Sequence, residues 1–172
     1  NVSVVTGTTG YKSKEERNFQ ELITGKRVLR AFNMSFGINL LGNLVENAAK
    51  NLTENSDVEI SETHHNKKKD LPSGTALMLA EFIGKGNKKF KKIKYREKGH
   101  NNVRKKFEIG FSSIRGGDVI GEHTVFFFLE GERMEFTHKA DSRNIFSVGA
   151  LRAAEWIYGK KPGLYSMIDM IK

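Results

Sequence analysis

The stretch Asp57–Ala80, DVEISETHHNKKKDLPSGTALMLA, decides how this chain is read. Val58 and Ile60 alternate with Glu59 and Ser61, the period of a strand with one buried face. Extended two residues at a time, that period places Glu62 and His64 on the Val58/Ile60 side, and Thr63 and His65 on the other. A polar loop of lysines follows, and Pro72, which cannot donate to a ladder, closes the extended segment. Ser73-Gly74-Thr75 then has the form of a helix start, with Leu77, Leu79, Phe82 and Ile83 among the apolar residues of the helix. A helix start presents unpaired N–H groups and a partial positive charge. Imidazoles, ammonium groups and a helix N-terminus in one stretch suit a small carboxylated ligand. Each part also has a plainer reading: histidines at a strand end as surface residues, three lysines as a solvated face, Ser-Gly-Thr as a cap.

The chain has 172 residues, enough for one ordinary domain with a sizeable core. No run of about 18 apolar residues occurs, so no membrane span is expected. The opening Asn-Val-Ser-Val-Val has neither the basic nor the apolar region of a secretory signal. It also lacks a starting methionine, so Asn1 is not expected to be the native start. With no cysteine, disulfides, thiol chemistry and cysteine-bound zinc are excluded, which fits a cytoplasmic protein. No H-E-x-x-H spacing is present, and no metal is expected. The formal net charge of +9 favours anionic partners of several kinds: nucleic acid, phosphate cofactors or dicarboxylates.

In chain order, Val2 to Val5 reads as a short buried strand, followed by the loop Thr6-Gly7-Thr8-Thr9-Gly10 and a polar helix from about Lys12 to Ile23. Strand, glycine loop and helix is an arrangement in which backbone amides approach a cofactor. The G-x-G-x-x-G fingerprint of a pyrophosphate loop, however, occurs nowhere in the sequence. Lys26 to Ala31 reads as a second strand, with Phe32-Asn33-Met34-Ser35 at its C-terminal end and Ser35 placed as an N-cap. Phe36 to Leu52 is an apolar helix. The segment Gly84 to Lys106 holds eleven lysines and arginines, and is expected as a solvated loop with one strand near Ile93 to Arg96. Lys106 to Ser113, Val119 to Leu129 and Arg133 to Ala140 read as an antiparallel meander with turns at Arg115–Asp118 and Glu130–Glu132. Val125–Leu129 is apolar on both faces, which suggests cover from a second subunit, with Phe127→Glu as the disrupting change. His123 and His138 read as structural. Ser142 or Asp141 caps a helix from Arg143 to Tyr158, and Gly163 to Ile171 reads as a short terminal helix.

Glu62-Thr63-His64-His65-Asn66-Lys67-Lys68-Lys69-Asp70-Leu71-Pro72-Ser73-Gly74-Thr75-Ala76 resembles the signature of the dihydrodipicolinate reductase family, E-x-H-H-x-x-K-x-D-x-P-S-G-T-A. Val5–Tyr11, Asn33–Asn39, Tyr95–His100, Arg115–Thr124 and Thr137–Arg143 resemble further family segments in the family's order. The resemblance implies NADH- or NADPH-dependent reduction of 4-hydroxy-tetrahydrodipicolinate to tetrahydrodipicolinate in diaminopimelate and lysine biosynthesis. It implies His64 and Lys68 as catalytic acid groups, and His65, Ser73, Gly74 and Thr75 as holding a substrate carboxylate; Arg143, whose charge opposes the dipole at the first turn of its helix, reads apart from the resemblance as held for a partner, either a substrate carboxylate or the strand-end histidines. It places Gly7, Thr8, Thr9, Ala31, Phe32, Asn33 and Met34 against the nicotinamide cofactor, and implies a homotetramer. The implied fold is α/β plus α+β. Residues 1–34 would be a remnant of a Rossmann-like dinucleotide-binding domain, 35–144 a substrate-binding and tetramerisation domain with a mixed sheet, and 145–172 helices packing back on the nucleotide domain. Without a pyrophosphate loop the chain by itself is expected to bind nicotinamide cofactor poorly. An inactive assembly module and a basic nucleic-acid-binding domain remain as alternatives. Reductase activity separates the first, and a steep salt dependence of oligonucleotide binding would mark the second.

Overall fold

The computed structural model describes residues 2–96, 98–99 and 103–171. Glu97 and His100, part of one of the resembling segments, lie outside the described residues. In chain order the elements are β1 (Val4–Thr6), α1 (Ser13–Leu22), β2 (Arg27–Arg30), α2 (Phe36–Lys50), β3 (Asp57–His64), α3 (Gly74–Gly86), β4 (Lys92–Tyr95), β5 (Glu108–Arg115), β6 (Glu122–Phe128), β7 (Arg133–Lys139), α4 (Asn144–Ile157), β8 (Gly163–Tyr165) and a 3-10 turn at Met167–Met170. They form two compact units, residues 1–40 with 142–172, and residues 41–141.

The first unit is built on a three-stranded sheet in the order β1-β2-β8, parallel throughout. Buried Leu29 of β2 packs with Met34, Ala153, Ile157 and Met167, so α4 and the 3-10 turn close over the sheet. The short polar helix α1 starts where Glu15 accepts a hydrogen bond from the Lys12 N–H at 2.7 Å, with acidic residues in its first turn. Ser35 accepts from the Ile38 N–H at the head of α2, as its position in the sequence predicts. Gly163–Tyr165 pairs with Arg27–Leu29 as a strand, which corrects the expected terminal helix. Three residues of parallel pairing outcompete a helical start that would leave the edge of β2 unpaired.

The second unit holds a five-stranded mixed sheet in the order β4-β5-β3-β6-β7. This corrects the expected meander. Only β6 and β7 form an antiparallel hairpin; β5 runs parallel to β3 and β4. β3 is inserted between β5 and β6, so the turn after β5 crosses the C-terminal end of β3 instead of closing a hairpin. That crossing fixes the site described below. Gly117, with φ +53, makes the turn possible, and its carbonyl accepts from the Asn66 N–H.

The alternation of β3 is the one expected: Val58, Ile60, Glu62 and His64 are buried. They share a face with Ile109 and Phe111 of β5 and His123, Val125 and Phe127 of β6. Phe127 is 0 % exposed and meets Phe136 edge-on, so it is a core residue. Phe127→Glu would therefore unfold this unit, not separate subunits. The opposite face carries Phe126 and Phe128, whose rings stack at 5.8 Å. Helices α2 and α3 approach closely: an added Cβ at Gly42 would stand 2.5 Å from the Phe82 ring, and one at Gly86 would overlap the Glu46 carbonyl.

The basic segment is tied down at two points. Arg96 bonds Glu59 and, at 2.8 Å, Glu108, while Arg104 bonds Glu59, Asp57 at 2.8 Å and the Glu108 carbonyl at 2.6 Å. Gly110 is a glycine because a Cβ there would overlap the Glu59 carboxylate. Lys92 and Lys94 line the exposed edge strand β4, charges that discourage pairing with another chain.

Candidate active site

The site lies at the C-terminal end of β3, where the strand, the crossing turn and the head of α3 meet. Glu62 faces inward with 1 % exposure, and a buried carboxylate must be fully partnered. Arg115, the last residue of β5, supplies a fork: Nη1 donates to Oε2 at 3.0 Å and Nη2 to Oε1 at 2.8 Å. The Ser113 hydroxyl and His64 Nδ1 complete the shell. Burial pushes the Glu62 carboxyl up, but the bonds from Arg115, Ser113 and His64 outweigh it and hold the group below its ordinary range. Arg115 also donates to the Asp70 carbonyl at 2.8 Å, and so pins the lysine loop to the strand end.

His64 is buried, and its carbonyl accepts from Gly116 in the crossing turn at 2.9 Å. Burial lowers its pKa, opposed by Glu62 and assisted by the positive charges of Lys68 and Arg115. A Cβ on Gly121 would stand 3.0 Å from His64 Nε2, so that glycine leaves room beside the nitrogen. The ring of His123 meets that of His64 edge-on at 5.0 Å. Its Nε2 lies 3.0 Å from Ser73 Oγ, which in turn accepts from the Ala76 N–H and caps α3. The direction of the Ser73–His123 bond follows the ring's tautomer, and the other ring nitrogen is Nδ1. That nitrogen is buried and has no partner among the described residues. Burial, with the charge of His64, pushes His123 down to about 3.

Lys68 is half-buried and pairs with Asp70 at 2.8 Å, whereas Lys67 and Lys69 are exposed. The pair holds Asp70 below its ordinary value. His65 sits at the loop's first turn, its carbonyl accepting from Lys68 N–H at 3.1 Å. Gly74 opens α3 with nothing within 4 Å of where a Cβ would stand, so the helix head is open to a ligand there. The second unit thus brings His64, His65, Lys68, Ser73, Gly74 and Thr75 to one strand end and one helix start. Glu62, His64 and His123 offer donor atoms within 4.8 Å of one another, a spacing that a metal could use. The Arg115 guanidinium already forks onto Glu62, however, and its charge opposes a cation there.

The remaining candidates belong to the first unit. Thr8 and Thr9 are exposed beyond the end of β1, with the Thr8 N–H donating to Thr6 Oγ1. A Cβ on Gly7 would touch Met34 and the Ala31 carbonyl, so the loops after β1 and β2 are neighbours at the C-terminal edge of a parallel sheet. Phe32 is 69 % exposed there, beside the Arg30 guanidinium at 5.7 Å. Asn33 accepts from the Ser35 N–H at 2.8 Å. Met34, by contrast, is packed into the core, with 8 % exposure. Arg143 is exposed just ahead of α4, while Ser142 Oγ takes the Asn144 N–H at 3.1 Å.

Of the residues that shape this site, His123 reads from sequence as structural, and Arg115 and Gly121 lie in the resembling segment Arg115–Thr124 with no role assigned to them. The inward period of β6 could have pointed to His123, since a titratable residue on a core-facing position needs a partner. What Arg115 and Gly121 do in the site depends on the strand order, which alternation does not specify.

The fold and site define an α/β protein of two units, one with a Rossmann-like parallel sheet and one with a mixed sheet that presents a buried imidazole–carboxylate cluster at a helix start. A profile described as "Dihydrodipicolinate reductase, C-terminus" matches residues 37–171, and the chain belongs to the dihydrodipicolinate reductase family. It is 46 % identical over 171 residues to the 4-hydroxy-tetrahydrodipicolinate reductase of Geotalea daltonii, covering 98 % of this chain and 64 % of that protein. It is 48 % identical over 170 residues to the protein of the same name from Aquifex aeolicus, covering 98 % and 63 %. The chain thus spans just under two thirds of the length of these curated relatives. The dipicolinate-bound dihydrodipicolinate reductase of Paenisporosarcina sp. TG-14 is similar in structure, with a TM-score of 0.78 and 25 % identity, over 100 % of this chain and 65 % of that one. No helix among the described residues is long and apolar enough to cross a membrane.

Proposed function

We propose that this chain carries the substrate-binding and proton-donating part of a 4-hydroxy-tetrahydrodipicolinate reductase, acting in the diaminopimelate and lysine pathway. The observation that carries the reading is the convergence of His64, Lys68 and the head of α3 at one end of β3. The reaction adds a hydride and a proton to the substrate ring and releases the hydroxyl as water. A bound nicotinamide cofactor, NADH or NADPH, would supply the hydride. The exposed loop Gly7–Thr9 and the loop Ala31–Asn33, with Phe32 exposed, fit such a group, since ligands of parallel sheets sit at the carboxyl ends of the strands. Met34 would act by packing behind them.

The chain's own residues do the rest. His65, Ser73, Gly74 and Thr75 hold one substrate carboxylate at the helix start. Lys68 neutralises charge that builds on the ring as the hydride arrives, and His64 in its protonated form delivers a proton. Asp70 keeps the Lys68 ammonium in place until the dianionic substrate competes for it.

The test compares Lys67→Ala, Lys68→Ala and Lys69→Ala in the chain preceded by a nucleotide-binding unit that bears a G-x-G-x-x-G loop. Lys68→Ala should lower kcat by about 10²–10⁴-fold. The exposed neighbours should change it by less than about threefold, as surface substitutions usually do. Equal losses in all three would reduce the run to a charged surface.

The same reading implies a homotetramer. Its support in this chain is the open sheet face, where Phe128 is 37 % exposed and stacks on Phe126. Phe128→Glu should reduce the mass seen by light scattering while the far-ultraviolet spectrum is kept. A wild-type chain that is monomeric at every concentration would remove this part of the proposal.

A further inference from the structure

The Glu62–His64 contact has only one possible polarity. Glu62 is held by the fork of Arg115 and by Ser113, and those bonds keep it ionised in spite of burial. An ionised carboxylate has no proton to give, so Nδ1 of His64 is the donor. The ring's second nitrogen, Nε2, is the one beside Gly121, where a missing side chain leaves room. Arg115 in turn is fixed by the Ile114 carbonyl at 2.7 Å and the Asp70 carbonyl at 2.8 Å, so the carboxylate cannot swing away from the imidazole.

We propose that Glu62, locked by Arg115, is the positioning residue of the site: it holds His64 with a proton on Nδ1, so that Nε2 is the atom that takes up and hands over the catalytic proton. The inference rests on the reading of His64 as a proton donor in the reductase reaction. Glu62 touches neither substrate nor cofactor in this role. Its second effect is electrostatic, because a carboxylate beside the ring favours the imidazolium that burial, Lys68 and Arg115 all disfavour. The proton cycle balances without another reactant: imidazolium Nε2–H gives its proton to the substrate, and the bare Nε2 recovers one from water.

The test reads the imidazole nitrogens directly, by long-range proton–nitrogen correlation on the ¹⁵N-labelled chain between roughly pH 5 and 9, the range in which histidine titrates. The His64 signal is assigned by its loss in His64→Asn. In the wild type at high pH, Nδ1 should be protonated and Nε2 bare. In Glu62→Gln the amide oxygen stays with Arg115, so the amide nitrogen faces the ring and donates to Nδ1. The proton should then move to Nε2, and the His64 midpoint should fall by about one unit or more. A group that merely filled space would move neither signal.

A wild-type His64 with its proton on Nε2 would overturn the proposal, as would a Glu62→Gln ring with unchanged tautomer and midpoint. If the glutamine variant does not fold, the wild-type spectrum alone decides. None of these readouts needs cofactor or turnover. A ring that behaves as expected in a protein whose reductase activity ignores His64→Asn would sink the functional reading and leave the Glu62–His64 pair standing.

Discussion

Below pH 6.5 the five-stranded unit is expected to lose stability steadily, and His123 is the main cause. Its folded-state pKa of about 3 lies below the ordinary 6.5, because the ring is 4 % exposed and sits against His64, with His138 and Lys68 adding positive charge and only Glu62 opposing. The unfolded chain therefore binds a proton that the folded chain refuses. The stabilisation is complete above about pH 6.5 and is lost as the pH falls toward 3. The slope approaches about 1.4 kcal/mol per pH unit for one such group, so the loss reaches a few kcal/mol by about pH 4. His64 and His138, also lowered by burial, add to it in the same direction. Glu62 and Glu108, held below their ordinary 4.5, extend the fall at still lower pH.

Urea unfolding followed by circular dichroism at pH 8, 6 and 5 measures this. His123→Gln, whose amide can still meet Ser73, should flatten the curve between pH 6.5 and 5 at a modest cost at pH 8. Parallel curves for the two proteins would show that the buried imidazole is not the sensor.

The second large effect belongs to the first unit. Gly149→Ala should destabilise it by about 3 kcal/mol or more, at or beyond the upper end of ordinary overpacking. A Cβ at position 149 would overlap the carbonyl oxygen of Met34, and Phe36 N lies 3.7 Å away. Both neighbours are backbone, so no rotamer change relieves the clash, and α4 would have to lift off Leu29 and Met34. Trp156, the only tryptophan, lies in α4 against Tyr165 and reports this unit by fluorescence. Gly116→Ala, with open space around its Cβ, is the control and should stay within about 0.5 kcal/mol. Similar unfolding midpoints for the two variants would mean that the Gly149 contact is easily relaxed.

The legible parts of this chain were those set by local chemistry. The period of β3 placed Glu62 and His64 inside, Ser73 was recognisable as a cap, and α1, α2 and α4 begin and end within a residue or two of the expected bounds, whereas the expected terminal helix is not there. Strand order was not legible. Alternation says which side of a strand is buried but not which strand lies beside it, and Arg115–Asp118 has the composition of a hairpin turn whether or not another strand comes between. Everything that depends on that order was hidden with it: the Arg115 fork on Glu62, the gap at Gly121, and the pairing of His123 with Ser73. Phe127 was misplaced for a related reason. In a strand that is apolar at every position, the pattern cannot say which phenylalanines face the core, and the register with Val58 decides it.

One feature of the architecture bears on how the protein is made. The middle strand of the three-stranded sheet, β2, is flanked on one side by β1, which precedes it, and on the other by Gly163–Tyr165, which is made much later. On the ribosome, residues 41–141 form a contiguous body that can fold as soon as it has emerged. The first unit cannot: β2 waits, with one flank bare, for more than a hundred further residues to be synthesised, or several seconds at about 5–20 residues per second. During that interval Val28 and Leu29, buried in the finished protein, are exposed to chaperones and to other nascent chains.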